Sequence, residues 1–429
     1  MANSTDQPFE LSLLSCASTS KPLEANQDPI FTDLPWYPKW LELQIRSQPQ
    51  RLLLALPNMK CDEELDWNTH FLPLWNQVRE LVLAPGPKTI DGITDKLVKL
   101  DVVSVKDHYE AYQSAKELIF SLLGWQTMLY KPDLVSCTTG GFSILDEMNG
   151  YHGEARVCLN QSPLSSKQDL PGFLLGFGMM LPPRDYCAFD DADDEKQLFD
   201  KTKVIITKDL NAHVLTKVCG VRLQWVDSLS CHLELDRHSG TLFLYRYPSF
   251  CVSSLQARVT NERRKGAIHC CGVKRPGPVP WASEEDITEL LREILLSYRL
   301  LFGQSRRSRS LFRRLRPFQR IPQEAHDQFL SLICNRKHFD CPITLIEREE
   351  YDLAGDFPHL RSRIVRLNNY ASSKKPRSIR QLWRDKRDST AWLAFWSVLF
   401  FGSVTILLGV IQTVFQIMQY ALELQQAET

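Results

Sequence analysis

Charged residues stop at Asp388, and none occurs from Ser389 to Leu422. Within that stretch Ala391 to Ile411 reads AWLAFWSVLFFGSVTILLGVI, 21 residues that would be apolar on every side of a helix. At 1.5 Å per residue such a helix covers roughly 32 Å, matching a bilayer hydrocarbon core of about 30 Å. Twelve of these positions are Leu, Ile, Val or Phe, together worth about −4 to −7 kcal/mol on an insertion scale before polar offsets. A buried core helix is usually shorter and keeps one wetted face. The pattern therefore predicts a single transmembrane helix over 391–412, followed by a short tail over 413–429.

Upstream the pattern changes twice. Helical spacing recurs at Phe71, Leu74, Trp75, Val78 and Leu81, and again at Tyr109, Tyr112, Ile119, Leu122 and Leu123, which predicts a helical part over 31–135. From about Thr138 to Cys251 short apolar runs alternate with Gly, Pro and Asp, including KVIIT at 203–207 and the alternating Val221, Leu223 and Trp225. These predict a β-rich middle over 136–260. The run Gly172 to Leu181 is too short to span a bilayer and reads as buried strand and turn. Ser283 opens a capped helix with Asp286 three residues on, an apolar face from Ile287 to Phe302, and Gly303 at its end. It begins a helical stretch over 283–370. Residues 1–30 are polar and without period, the composition of a disordered lead. The expected fold class is an α+β soluble body over 31–370, a basic juxtamembrane segment over 371–390, and one C-terminal span.

Composition agrees with a folded body: of 429 residues, 43% are hydrophobic and 24% charged, as in globular proteins. Fifty-one basic residues balance 51 acidic ones, so attraction to lipid or nucleic acid must come from local arrangement. Twelve cysteines without regular spacing are too few for a disulfide scaffold. No charged start followed by an apolar stretch occurs in the first thirty residues, so an N-terminal secretory signal is not expected. Asn3-Ser4-Thr5 and Asn160-Gln161-Ser162 match the glycosylation pattern but should stay unmodified on a cytosolic body.

Charge sets the expected orientation. Between Arg361 and Arg387 there are ten Lys or Arg, among them Lys374, Lys375, Arg377, Arg380, Arg384, Lys386 and Arg387, against the single acid Asp385. Glu423 and Glu428 lie beyond the span, so the body should be cytosolic. Only 18 residues follow Ile411, which implies tail-anchored insertion; the absence of basic residues after the span favours the endoplasmic reticulum or nuclear envelope over mitochondria. Gly402, Thr405, Gly409, Gln412 and Gln416 fall on one stripe of the helix, suited to self-association or a membrane partner; glutamines leaving the bilayer are the bland alternative. A second basic stretch, Arg306, Arg307, Arg309, Arg313, Arg314, Arg316 and Arg320, is interleaved with Leu311, Phe312, Leu315 and Phe318. It reads foremost as solvated charge around a packed helix, next as a contact with an anionic surface, and least of all as a nucleic-acid site.

Three features coincide along the second half: WVDSLSCHLELDRHSGTLFLYRYPSF at Trp225 to Phe250, ICNRKHFDCPITLIEREEY at Ile333 to Tyr351 followed by DFPHL, and RDKRDSTAWLAFWSVLFFG at the membrane entry. In their order these resemble a set of filamentous-fungal proteins with a soluble body and a C-terminal span, over roughly Val204 to the end. The resemblance brings no catalytic residues and no established activity.

Residue chemistry adds little. There is no GxSxG, no Walker loop and no dinucleotide fingerprint, and no cofactor is expected. The acidic cluster Asp190, Asp191, Asp193, Asp194 and Glu195 lacks the glycine and ligand spacing of a calcium loop and reads as a solvated loop. His232, Asp236 and His238 crowd one short stretch and read foremost as polar surface. Cys334, His338 and Cys341, with His269, Cys270 or Cys271, could supply four zinc ligands, although their spacing fits no standard finger and buried cysteines often act as small hydrophobes. The leading expectation is a membrane-tethered interaction or scaffold protein; the alternative is a membrane-tethered, zinc-dependent enzyme using these Cys and His residues.

Overall fold

The structure is a computed structural model. It describes residues 30–53, 55–56, 71–104, 109–136, 140–188, 193–260, 266–274, 277, 279–374 and 389–427. Residues 1–29 of the expected lead over 1–30 and the basic residues Lys375, Arg377, Arg380, Arg384, Lys386 and Arg387 lie outside these, while Ile30 already opens a short helix, Ile30–Asp33.

The amphipathic spacing of the N-terminal part becomes the helices Tyr37–Arg46, Leu72–Leu83, Ile90–Lys99 and Tyr109–Thr127. Thr89 starts the third of these by accepting from the Gly92 N–H at 2.9 Å, an N-cap that satisfies one orphan donor. Their apolar faces meet in an aromatic cluster, where Trp36 stacks on Tyr247 with ring centroids 4.1 Å apart. The Tyr37 hydroxyl donates to the Trp125 carbonyl at 2.7 Å. Helix Tyr109–Thr127 is thereby joined to helix Tyr37–Arg46.

Among the described residues the strands are β1 (Phe142–Ser143), β2 (Asn160–Gln161), β3 (Val204–Ile206), β4 (Arg222–Val226), β5 (Leu235–Asp236), β6 (Thr241–Tyr245) and β7 (Glu350–Asp352). They make three small sheets, and in the largest β6 runs parallel to β4 and antiparallel to β5. All five residues of β6 are buried, as expected of a strand covered on both faces. β3 pairs with β7, which ties the middle of the chain to its C-terminal part.

Helix Glu284–Tyr298 carries the capping box expected at Ser283: the Ser283 hydroxyl accepts from the Asp286 N–H and Asp286 accepts from the Ser283 N–H. Its face from Ile287 to Tyr298 is buried, and the helix loosens into a π turn at Arg299–Gly303. Arg299 is itself buried and is held by the carbonyls of Ile333, Arg336 and Lys337 and by Glu347 at 2.6 Å. One packed core runs from Leu34 to Ala371, so the helical, β-containing and C-terminal parts share a single interior.

Several expectations change. The middle carries six of the seven strands, yet helices Leu170–Leu175, Asp193–Lys201, Ala212–Lys217 and Pro248–Thr260 interrupt them, so it is mixed. The run at Gly172 is helix and turn, because Pro171 at the first helical turn favours helix; the helix ends at Leu175 with Gly176 as its C-cap, and Gly178 follows at φ +141°. The acidic cluster is not the expected loop where it is described: from Asp193 it is helical, and Glu195 pairs with Arg237, while Asp190 and Asp191 lie outside the described residues. The stretch over 283–370 supplies β7 as well as helices. Helix Arg361–Ser373 reaches into the juxtamembrane segment. The last helix runs from Ser389 to Ala427, absorbing most of the expected tail.

Candidate functional site

Helix Ser389–Ala427 is set apart from everything else by its surroundings. Within Leu393–Ala421 an 18-residue stretch has a mean hydropathy of 2.2, and none of it is buried. Phe400, Leu407 and Ile417 are each more than 60% exposed. A water-soluble protein rarely exposes contiguous apolar surface beyond a few hundred Å², and this helix is apolar around its whole circumference. It is long and apolar enough to cross a bilayer. Ser403, Thr405 and Thr413 donate back to the carbonyls of Leu399, Phe401 and Gly409, which satisfies their hydroxyls without water. Gly402, Thr405, Gly409, Gln412 and Gln416 are exposed, with open space around both glycines.

The basic stretch beginning at Arg306 folds as helix Arg306–Phe312 and following turns. Phe312 is buried and Leu311, Leu315 and Phe318 pack against the core. Arg306, Arg307, Arg313, Arg314 and Arg316 stay exposed, while Arg309 turns inward to the Gly303 and Gln304 carbonyls. Lys374, the described residue of the juxtamembrane set, lies over the Tyr370 ring at 4.8 Å.

The sequence-based zinc ligands do not converge. Cys270 and Cys271 lie on the 3-10 turn Ala267–Cys271 and Cys334 on helix Gln328–Asn335, while His338 is exposed and Cys341 half-buried. Burial raises the thiols of Cys271, Cys334 and Cys341, which opposes the thiolate that a ligand or nucleophile needs. His232 is fully buried; its Nδ1 accepts from the Tyr245 N–H at 3.2 Å, so Nε2 carries the hydrogen toward Ser297 Oγ at 2.7 Å. Burial, aided by the Arg363 charge, lowers its pKa to about 3, so it is a neutral structural bridge. Asp236 ends β5, half-buried, and His238 is exposed on the β5–β6 turn, both apart from it.

What the fold does bring together is Asp286, Glu289 and His359, whose ligand atoms all lie within 4.8 Å of one another. Among the described residues they are the one group of three with that geometry. Asp286, Glu289 and Glu293 recur at helical spacing on Glu284–Tyr298 and so share one face. Glu293, buried, accepts from the backbone N–H groups of His359 and Leu360 at 2.7 to 3.0 Å. This holds the start of helix Arg361–Ser373 against the central helix. Burial pushes the Glu293 carboxyl well above the ordinary carboxylate range, against those two donors. The His359 ring is oriented by Nδ1, 3.0 Å from the Pro182 carbonyl. The signal for this group was present in the helical spacing of the three acids, but the sequence pairs no histidine with them.

A second buried polar group lies behind it. Arg363 donates to the Ser230 and His232 carbonyls at 2.9 and 2.7 Å, and its Nε is 3.2 Å from Glu234 and 3.5 Å from Glu154. All three charged side chains are 2% exposed or less.

Comparison with known proteins returns no match: no family model, curated protein or solved structure is similar to the chain.

Proposed function

We propose that the chain is a single-pass membrane protein anchored by helix Ser389–Ala427, with the preceding body in the cytosol, where it acts as an interaction or scaffold module. The observation that carries this reading is the exposure of Leu393–Ala421 on all sides. At 1.5 Å per residue its 29 residues extend roughly 44 Å, enough for the hydrocarbon core and both interfaces. The excess of Lys and Arg between Arg361 and Arg387 supports the cytosolic orientation by the positive-inside tendency. The stripe from Gly402 to Gln416 supports a further helix as partner within the membrane, since small residues allow close approach and amides bond across it.

A zinc-dependent enzyme built on Cys270, Cys271, Cys334, His338 and Cys341 finds no support in their placement.

Alkaline extraction of membranes carrying the full chain tests the anchor. The parent should stay with the lipid, and a variant carrying Leu399→Arg with Leu407→Arg should be released, because each arginine at the bilayer centre opposes insertion by about 2.5 to 3.5 kcal/mol. Release of the parent by alkali contradicts the reading.

A further inference from the structure

We propose that Asp286, Glu289 and His359 form a binding site for one divalent transition-metal cation of the zinc and manganese class. His359 is 1% exposed. Its Nε2 has no hydrogen-bond partner among the described residues, although leaving a buried polar atom unmatched is costly. That atom points into the acidic face of the central helix: Glu289 Oε2 is 3.5 Å away, Asp286 Oδ1 3.9 Å and Glu293 Oε1 3.9 Å. These separations are too long for hydrogen bonds and right for co-ligands. Two atoms each about 2.1 Å from one ion stand at most about 4.2 Å apart, and both His359-to-ligand distances fall inside that limit.

The rest of the ring is prepared in the same sense. Nδ1 faces the Pro182 carbonyl at 3.0 Å, the second contact that fixes a ligating histidine with Nε2 free toward the metal. Asp286 uses Oδ2 for the Ser283 N–H, which leaves Oδ1 for the ion. One imidazole and two carboxylates suit zinc or manganese better than a thiol-seeking ion. Glu293 keeps both oxygens on backbone donors, so it shapes the wall without serving as a ligand. Three protein ligands leave the remaining positions to water, and Glu289, with its side chain 41% exposed, gives access from solvent.

Arg184 is the built-in competitor, since its guanidinium pairs with Glu289 Oε2. The ion must displace that cation, so removing it should tighten binding. This consequence distinguishes a real site from a damaged fold, because misfolding does not raise affinity. A bound ion would clamp the central helix to the turn before helix Arg361–Ser373, the last described element before the membrane helix.

The test is a titration of the full chain in detergent micelles with Mn2+, a hard ion that disfavours thiol sites, followed by electron paramagnetic resonance, which counts the free ion; Zn2+ is then added as competitor. One Mn2+ per chain should bind and be displaced by Zn2+. Glu289→Gln should weaken binding at least about tenfold, the scale of effects around metal sites, and Arg184→Gln should strengthen it. Absence of saturable binding in the parent, or unchanged affinity in either variant, overturns the assignment.

Discussion

His232 Nε2 lies 2.7 Å from Ser297 Oγ, joining the turn before β5 to the central helix through a ring that reaches no solvent. Ser297 passes its own hydrogen to the Ile294 carbonyl at 2.7 Å, so it can only accept from the imidazole. A protonated ring would have to place its second hydrogen against the Tyr245 N–H.

From this follows a dependence on acid. The folded pKa of about 3 lies below the ordinary 6.5, so the fold prefers the neutral ring. That contribution is fully present above pH 6.5 and is lost as pH falls toward 3; the difference corresponds to an order of about 5 kcal/mol at most. Thermal melts of the parent should fall across this window, and His232→Gln, which takes no charge, should fall less steeply. Parallel profiles would contradict the assignment.

Arg363 compensates two buried carboxylates, and its loss leaves Glu154 without its ion pair and Glu234 with Arg366 alone, at 3.8 Å. Arg363→Met should destabilise the body by about 3 to 5 kcal/mol, the scale for breaking a buried ion pair from one side. Adding Glu154→Gln and Glu234→Gln should recover part of that in urea unfolding. A loss below about 1 kcal/mol for the single variant would mean that water already screens the group.

Gly178 is required by its surroundings. At φ +141° a side chain is strained, and a Cβ would stand 2.5 to 2.8 Å from the backbone of Val157, Ala155 and Arg156. The close approach serves pairing, because the Phe177 carbonyl accepts from both Val157 and Cys158 N–H groups. Gly178→Ala should lower stability by at least about 1 to 3 kcal/mol, read as a lower melting temperature; a neutral change would show that the two segments can separate freely.

Much of this architecture was legible from periodicity. Helices Leu72–Leu83 and Tyr109–Thr127, the capped start at Ser283 and strands β3 and β4 follow their local patterns. Where period was weak, tertiary context decided: Gly172 to Leu181 is a short apolar run that either helix or strand could use, and Asp193–Lys201 had too little apolar face to read as a helix. The candidate metal site was hidden for a different reason. Its acids lie on one helix, but His359 enters from a turn far along the chain, and only the fold supplies that proximity. The cysteines had the more familiar ligand chemistry and proved to be core and scattered surface.

The membrane stripe makes its own prediction. If helices associate along Gly402, Thr405, Gly409, Gln412 and Gln416, Gln416→Leu should weaken chemically crosslinked oligomer bands in membranes, since an interhelical amide bond contributes roughly 0.6 to 2 kcal/mol. Unchanged bands would leave the glutamines as interfacial residues only.

The most direct measurement is to append a glycosylation acceptor after Thr429 and translate the full chain into microsomes. Modification of the appended acceptor, with Asn3 and Asn160 untouched, is the predicted result for a cytosolic body on a spanning helix. An unmodified acceptor on a chain that alkali releases from the microsomes would contradict it, and helix Ser389–Ala427 would then have to find its cover in another protein.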